Sequence, residues 1–232
     1  LPARAREANL GSERYMDERE ASQLRSGAAR LGVVLDEAAA RLLLRYADEL
    51  AEWNRRYNLT GIDDRARVLT HHLLDSLSLL PPLLRHTDGT PTRLLDVGSG
   101  GGLPGVVLAI CRPELDITCV DAVAKKTAFV QQVAGALALP NLRAVHARVE
   151  TLTGQWPLIT SRAFAYLHDF TAWTEQALAP AGRWLAMKGK HPTQELAELP
   201  PSVQVFHVEP LTVPGLDAER CLVWMGRPET ET

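Results

Sequence analysis

The chain has few cysteines, few lysines and no long apolar run, and each scarcity excludes something. Its three cysteines, Cys111, Cys119 and Cys221, are odd in number, far apart and set in apolar stretches. With no CxxC pair to hold a metal and no even framework to oxidise, they read as buried reduced thiols of a cytosolic protein. No apolar stretch approaches the roughly 20 residues of a membrane helix, so no spanning segment is expected. The formal net charge of -3 gives no sign of a generally basic nucleic-acid binder. The 46% hydrophobic and 23% charged fractions over 232 residues are those of one ordinary globular core with an appendage. Residues 1–23 are polar and Arg-rich, lack an apolar signal-peptide centre and read as a disordered extension, with Met16 a candidate start. A chain beginning at Ser26 is expected to suffice for activity.

What is present divides in two. Residues 24–90 read as a helical cap. Leu43, Tyr46, Ala47, Leu50, Trp53 and Tyr57 recur three and four apart between Asp36 and Tyr57, with Asp36 as N-cap. A second pattern runs from Arg65 to Leu80 and is expected to end at Pro81 and Pro82. On these helices Trp53 and Tyr57 serve either the core or base stacking. His72 and Asp75 read as a mutual hydrogen bond tying the cap down, with a metal role for His71, His72 and Asp75 as the alternative.

Residues 91–228 change rhythm to short apolar runs alternating with helical segments, which predicts a doubly wound α/β fold with a mostly parallel seven-stranded sheet. Strands are expected at Arg93 to Val97, Asp116 to Val120, Leu142 to Ala147, Pro157 to Ser161, Trp184 to Met187, Val203 to Val208 and Cys221 to Met225. Helices are expected near Gly105 to Cys111, Lys125 to Leu137, His168 to Leu178 and Thr193 to Leu199. A loop with Pro210, Pro214 and Gly215, in place of a helix, predicts that the last two strands pair antiparallel at the sheet edge.

The first strand runs into Asp96-Val-Gly98-Ser-Gly100-Gly-Gly102-Leu103-Pro-Gly105. Such a cluster lets backbone approach a ligand, and the following helix is expected to aim its free N–H groups there. Gly100, Gly102 and Gly105 also satisfy a dinucleotide-binding GxGxxG. Asp96 argues against a diphosphate, which it would repel, and for orienting the loop and receiving a ligand ammonium. Asp121, ending the second strand, is placed to accept both hydroxyls of a ribose, for any adenosine cofactor. All four lysines, Lys125, Lys126, Lys188 and Lys190, directly follow the second and fifth strands. They read as a local basic rim for RNA phosphates, or else as solvated helix starts. Arg162, Arg148 and Lys188, at the ends of strands four, three and five, are the candidate site cations, against ion-pair roles for each arginine.

Trp53-Asn54 with Tyr57-Asn58-Leu59-Thr60, His72-Leu-Leu-Asp75-Ser76, the loop from Asp96 to Gly105, Arg112-Pro113-Glu114, Arg148-Val149-Glu150, Ser161-Arg162-Ala163-Phe164, Met187-Lys188-Gly189 and Glu219-Arg220 occur in that order. In this set, spanning Trp53 to Val223, the chain resembles the bacterial 16S rRNA guanine-N7 methyltransferases, the glucose-inhibited division protein B family. The resemblance implies a class I methyltransferase domain over 91–228, S-adenosylmethionine as cofactor, and 16S rRNA, the small ribosomal subunit or its assembly intermediate as partner, without metal or membrane. It implies methylation of N7 of the guanine at rRNA position 527. It places cofactor contacts on Gly98, Leu103, Val149, Glu150 and Arg162, beside Asp96, Gly100 and Asp121. Methyl transfer to a small molecule or protein, NAD-dependent oxidoreduction and a non-catalytic role in ribosome assembly are the competing readings.

Overall fold

A computed structural model describes residues 18–228. The described chain opens on helix α1, residues 18–30, which buries Ala21, Leu24 and Ala28. The expected extension therefore gives up residues 18–23 to the fold, and its residues 1–17 lie outside the described residues. Within 18–23 only Ala21 is buried, so that stretch reads as polar, and the periodic positions Leu24, Gly27 and Ala28 lie beyond it. Glu20 also binds Arg65, with Oε2 accepting from Nη2 at 2.9 Å. Starting the chain at Ser26 removes Leu24, which is fully buried, along with Ala21 and Glu20. Loss of a buried leucine costs about 2 kcal/mol or more, so the truncated chain is expected to unfold at lower urea. Equal unfolding midpoints for both chains would show that residues 18–25 are dispensable after all.

Helix α2 (Glu37–Tyr57) begins at Asp36, whose Oδ1 accepts from Ala39 N at 2.7 Å, and ends at Asn58 in the left-handed region. Next come α3 (Arg65–Arg67), a π-helical segment Val68–Leu74, α4 (Asp75–Leu77) and α5 (Leu80–Thr87). Pro81 and Pro82, expected to stop a helix, instead lie in the first turn of α5. There a missing N–H costs nothing and the fixed φ already suits the helix.

The sheet contains β1 (Arg93–Val97), β2 (Asp116–Asp121), β3 (Leu142–His146), β4 (Trp156–Arg162), β5 (Leu178–Lys188), β6 (Gln204–Pro210) and β7 (Cys221–Gly226), in the order β3-β2-β1-β4-β5-β7-β6. β1 to β5 run parallel, and β7 pairs antiparallel with both β5 and β6. The expected terminal hairpin is present, with β7 inserted and β6 left at the edge. The crossovers carry α6 (Gly105–Cys111), α7 (Ala124–Ala136), α8 (Leu167–Thr174) and, before β6, α9 (Thr193–Ala197). The helix expected to reach Leu178 stops at Thr174, because Leu178 already pairs with Trp156 as the first residue of β5.

Alternate strand residues feed two cores. Leu94, Ile117, Leu158, Leu185 and Leu222 face the cap helices with α6 and α7, whereas Leu95, Val120, Ile159, Trp184 and Val223 face α8. The strand order reverses between β1 and β4. In an open parallel sheet that reversal leaves a crevice at the carboxyl ends of the strands, where ligands bind.

Candidate functional site

At that crevice β1 leaves the sheet through Gly98, whose N–H donates to Val120 O at 2.9 Å. Gly98 has φ +64, and a Cβ there would overlap the Phe164 ring, so both backbone conformation and space demand glycine. Asp96 lies beneath the loop rather than in the crevice. It is fully buried on the α6 side of the sheet, and its Oδ2 accepts from Gly105 N at 2.8 Å. The first N–H of α6 is thus spent on Asp96, and the expectation of a helix end with free N–H groups facing the ligand fails at that position. Asp96 Oδ1 is buried without a hydrogen-bond partner among the described residues. Burial pushes the Asp96 carboxyl up to about 7, opposed by the Gly105 N–H and the Arg162 charge.

The crevice is a cleft of about 380 Å³ between β1, β2, β3 and β4. Gly98, Asp121, Val149 and Glu150 line one part of it, while Phe164 and Trp173 form an aromatic wall with rings 5.8 Å apart and edge-on. Asp121 is the best-prepared acceptor. Its Oδ2 accepts from Gly100 N at 3.0 Å and its Oδ1 from Val123 N at 2.8 Å, leaving a lone pair on each oxygen. Arg148 also lines the cleft, with a largely exposed side chain 3.5 Å from Glu150. Gly100 and Leu103 do not line it. The Leu103 side chain is buried in the core on the cap side.

Arg162 turns away from the cleft into an ion-pair cluster. Its Nη1 donates to Asp75 Oδ2 and to His71 O, each at 2.8 Å, and Asp75 Oδ1 accepts from Arg220 Nε at 2.8 Å. The expected His72–Asp75 bond does not form. His72 Nε2 meets Thr60 Oγ1 at 2.8 Å, and burial beside the Arg162 charge lowers His72 to about 4, so its ring is neutral at pH 7. Two guanidinium groups outcompete a neutral imidazole for the Asp75 carboxylate. Trp53 packs tilted against Phe129 at 5.4 Å on the edge of the core, while Tyr57 is half exposed. No cluster of metal-ligating side chains exists among the described residues.

The basic rim is smaller than the sequence suggests. Lys188 Nζ donates to Glu195 Oε2 at 2.7 Å and to Ala165 O at 2.9 Å, so it braces the β4–α8 loop rather than standing free for a phosphate. Lys126 leans toward Asp121 at 3.8 Å. Lys125 and Lys190 are exposed. Phe164, Trp173, Glu195 and Arg220 carry site geometry that sequence reasoning did not assign. Phe164 and Arg220 lay within the motifs Ser161-Arg162-Ala163-Phe164 and Glu219-Arg220 without a role assigned to either.

The family described as rRNA small subunit methyltransferase G, GidB, matches residues 39–223. The ribosomal RNA small subunit methyltransferase G of Acidovorax sp. (strain JS42) is 60% identical over 210 residues, covering 87% of this chain and 93% of that protein. The protein of the same name from Paracidovorax citrulli (strain AAC00-1) is 56% identical over 213 residues, covering 87% and 88%. Among solved structures, the 1,6-didemethyltoxoflavin-N1-methyltransferase of Burkholderia thailandensis superposes with a TM-score of 0.54 at 17% identity, over 80% of this chain and 90% of that one. A SAM-dependent methyltransferase from Aquifex aeolicus gives 0.54 at 13% identity, over 72% and 96%. At such identities these two likenesses concern the fold alone.

Proposed function

The chain belongs to the rRNA small subunit methyltransferase G family, and from that premise we propose that it transfers a methyl group from S-adenosylmethionine to N7 of a guanine in 16S rRNA, position 527, in the cytoplasm. The observation that carries the reading is the cleft at the strand reversal, where the Asp121 carboxylate stands beside the glycine loop with acceptor capacity to spare. The residues present fit the cofactor. Asp121 would hold the ribose hydroxyls and Glu150 offers a second acceptor in the cleft, while Asp96, beneath the loop, would orient it through the Gly105 N–H. When bound, S-adenosylmethionine supplies a methyl group activated by its sulfonium. Guanine N7 is an unprotonated ring nitrogen with an in-plane lone pair, so no residue need remove a proton. The protein's task is in-line alignment and a shaped, water-poor cleft. Arg148 and Glu150 stand at the mouth of the cleft where an RNA base would enter, while Arg162 serves through the cluster it forms with Asp75.

The reading is tested by tritium transfer to free 16S rRNA, 30S particles and tRNA from a strain lacking the modification, with the labelled base mapped. Label in tRNA or protein and none in 16S rRNA would overturn it. The exposed Lys125 and Lys190 are the revised phosphate contacts. Changing both to Gln is expected to flatten the slope of log RNA affinity against log salt by about 0.7 unit per contact, with cofactor affinity intact. An unchanged slope would place the RNA surface elsewhere.

Asp96 gives the cofactor affinity a pH dependence. The charged or titratable groups facing it are Tyr46 from α2, Cys119 and Asp121 from β2, and Arg162 from β4. Tyr46 and Cys119 are raised well above their ordinary values and stay neutral. The carboxylate holds the Gly105 N–H beneath the loop, and below about 7 the carboxyl takes up a proton and becomes a weaker acceptor. Affinity is then expected to be a few-fold weaker at pH 6 than at pH 7.5, and Asp96→Asn should remove the dependence. A flat calorimetric profile in the unmutated protein would separate the Asp96 carboxyl from cofactor binding.

A further inference from the structure

We infer that Tyr46, in the N-terminal cap, is a positioning residue for the glycine loop and makes cofactor affinity depend on the seating of α2. The inference rests on the reading of that loop as the S-adenosylmethionine site. Tyr46 is fully buried, and its hydroxyl donates to the Gly101 carbonyl at 2.6 Å. Burial pushes the phenol well above its ordinary range, so the group remains a donor at every working pH. Among the described residues, the Gly101 carbonyl takes no other hydrogen bond.

The residues on either side of Gly101 tie the loop to Asp121, which lines the cleft, and to Ser99. The Gly100 N–H is held by Asp121 Oδ2 at 3.0 Å, and Gly102 N and Leu103 N donate to Ser99 O at 2.7 and 3.0 Å. Tyr46 fixes the peptide plane between them from the opposite side. One turn further along α2, Leu50 Cδ1 lies 2.9 Å from where a Cβ on Gly101 would stand. Gly101 therefore owes its lack of a side chain to the approach of α2, whereas the glycine cluster read as a whole suggests a ligand at every position.

The helix that carries Tyr46 is itself braced on the far side of the loop. Gln132 of α7 donates to Glu49 at 3.1 Å, Arg45 donates to Ala136 O at 3.3 Å, and Trp53 packs on Phe129 at 5.4 Å. A displacement of α2 is thereby transmitted to the Gly101 carbonyl and, through Gly100, to Asp121. Coupling of this kind is reciprocal: a ligand that orders the loop also orders the helix.

Tyr46→Phe keeps the ring and removes only the donor. In calorimetry with S-adenosylmethionine the variant is expected to bind about tenfold more weakly, because a buried carbonyl loses its partner. In methyl transfer to 30S particles, KM for S-adenosylmethionine should rise by a similar factor with kcat at saturation unchanged. In the ligand-free protein, amide exchange should speed up at Gly102 and Leu103 while the strand amides keep their protection. Affinity and loop exchange equal to those of the unmutated protein would overturn the inference. So would uniformly faster exchange across the sheet, which would make Tyr46 a core residue only. Should the unmutated protein bind no S-adenosylmethionine, the functional reading falls, and the selective loop exchange still decides whether Tyr46 positions the loop.

Discussion

Asp75→Ala is expected to destabilise the protein by about 3 kcal/mol, at the lower end of the cost of breaking a buried ion pair from one side. Asp75 has 3% of its side chain exposed and is the shared partner of Arg162 and Arg220, which retain 17% and 23%. Removing the carboxylate leaves two guanidinium groups facing one another in a partly desolvated pocket, with repulsion added to lost attraction. Their residual exposure lets water recover part of the loss, which is why the lower end of the range applies. The effect is structural before it is functional. Arg162 ends β4, Arg220 immediately precedes β7, and Asp75 opens α4, so one carboxylate joins the cap to both halves of the sheet. Urea unfolding at neutral pH measures the loss. A change below about 1 kcal/mol would mean that solvent already carries these charges.

The same cluster shows where sequence reading stops. Strands β1 to β4, the glycine loop and the order of elements were legible because each signal is local: period-two apolar runs, glycines next to a strand end, an N-cap before an apolar stripe. Asp75 and Arg220 are 145 residues apart, and nothing near either residue announces the other. Asp75 was paired with His72 because the two share a helix face, but the segment is π-helical, and a nearby neutral ring is a weaker partner than two distant guanidinium groups. Pro81 and Pro82 mark the boundary between two helices, and the rule that proline ends a helix fits such a boundary as well as the rule that it begins one. Trp173 fell unremarked within the helix expected near His168 to Leu178, and only the fold shows its ring in the cleft beside Phe164. Lys188 was read as a free cation because a sequence displays charge and hides its neutralisation. Asp121 was legible because a strand end following a glycine loop fixes the position of its carboxylate almost by itself.

Asp121→Ala is expected to weaken S-adenosylmethionine binding by about 2 to 3 kcal/mol, roughly thirtyfold to more than a hundredfold. Two losses combine. The ribose hydroxyls lose a charged acceptor, and the Gly100 and Val123 N–H groups lose the oxygens that hold the loop and the start of α7 in register. Asp121→Asn separates them: its single carbonyl oxygen can serve one of the backbone donors, while its amide opposes the other, so an intermediate loss is expected. The folded state should suffer less than the site, because Asp121 lines the cleft, where water can replace it for the two backbone donors once the ligand is gone. Lys126, 3.8 Å away, adds a control. If the carboxylate acts by accepting hydrogen bonds, Lys126→Gln should change cofactor affinity by no more than a few-fold, since at 3.8 Å the lysine makes no hydrogen bond to it. An Asp121→Ala affinity within twofold of the unmutated protein would detach this carboxylate from the ribose and leave it as a cap for the loop alone.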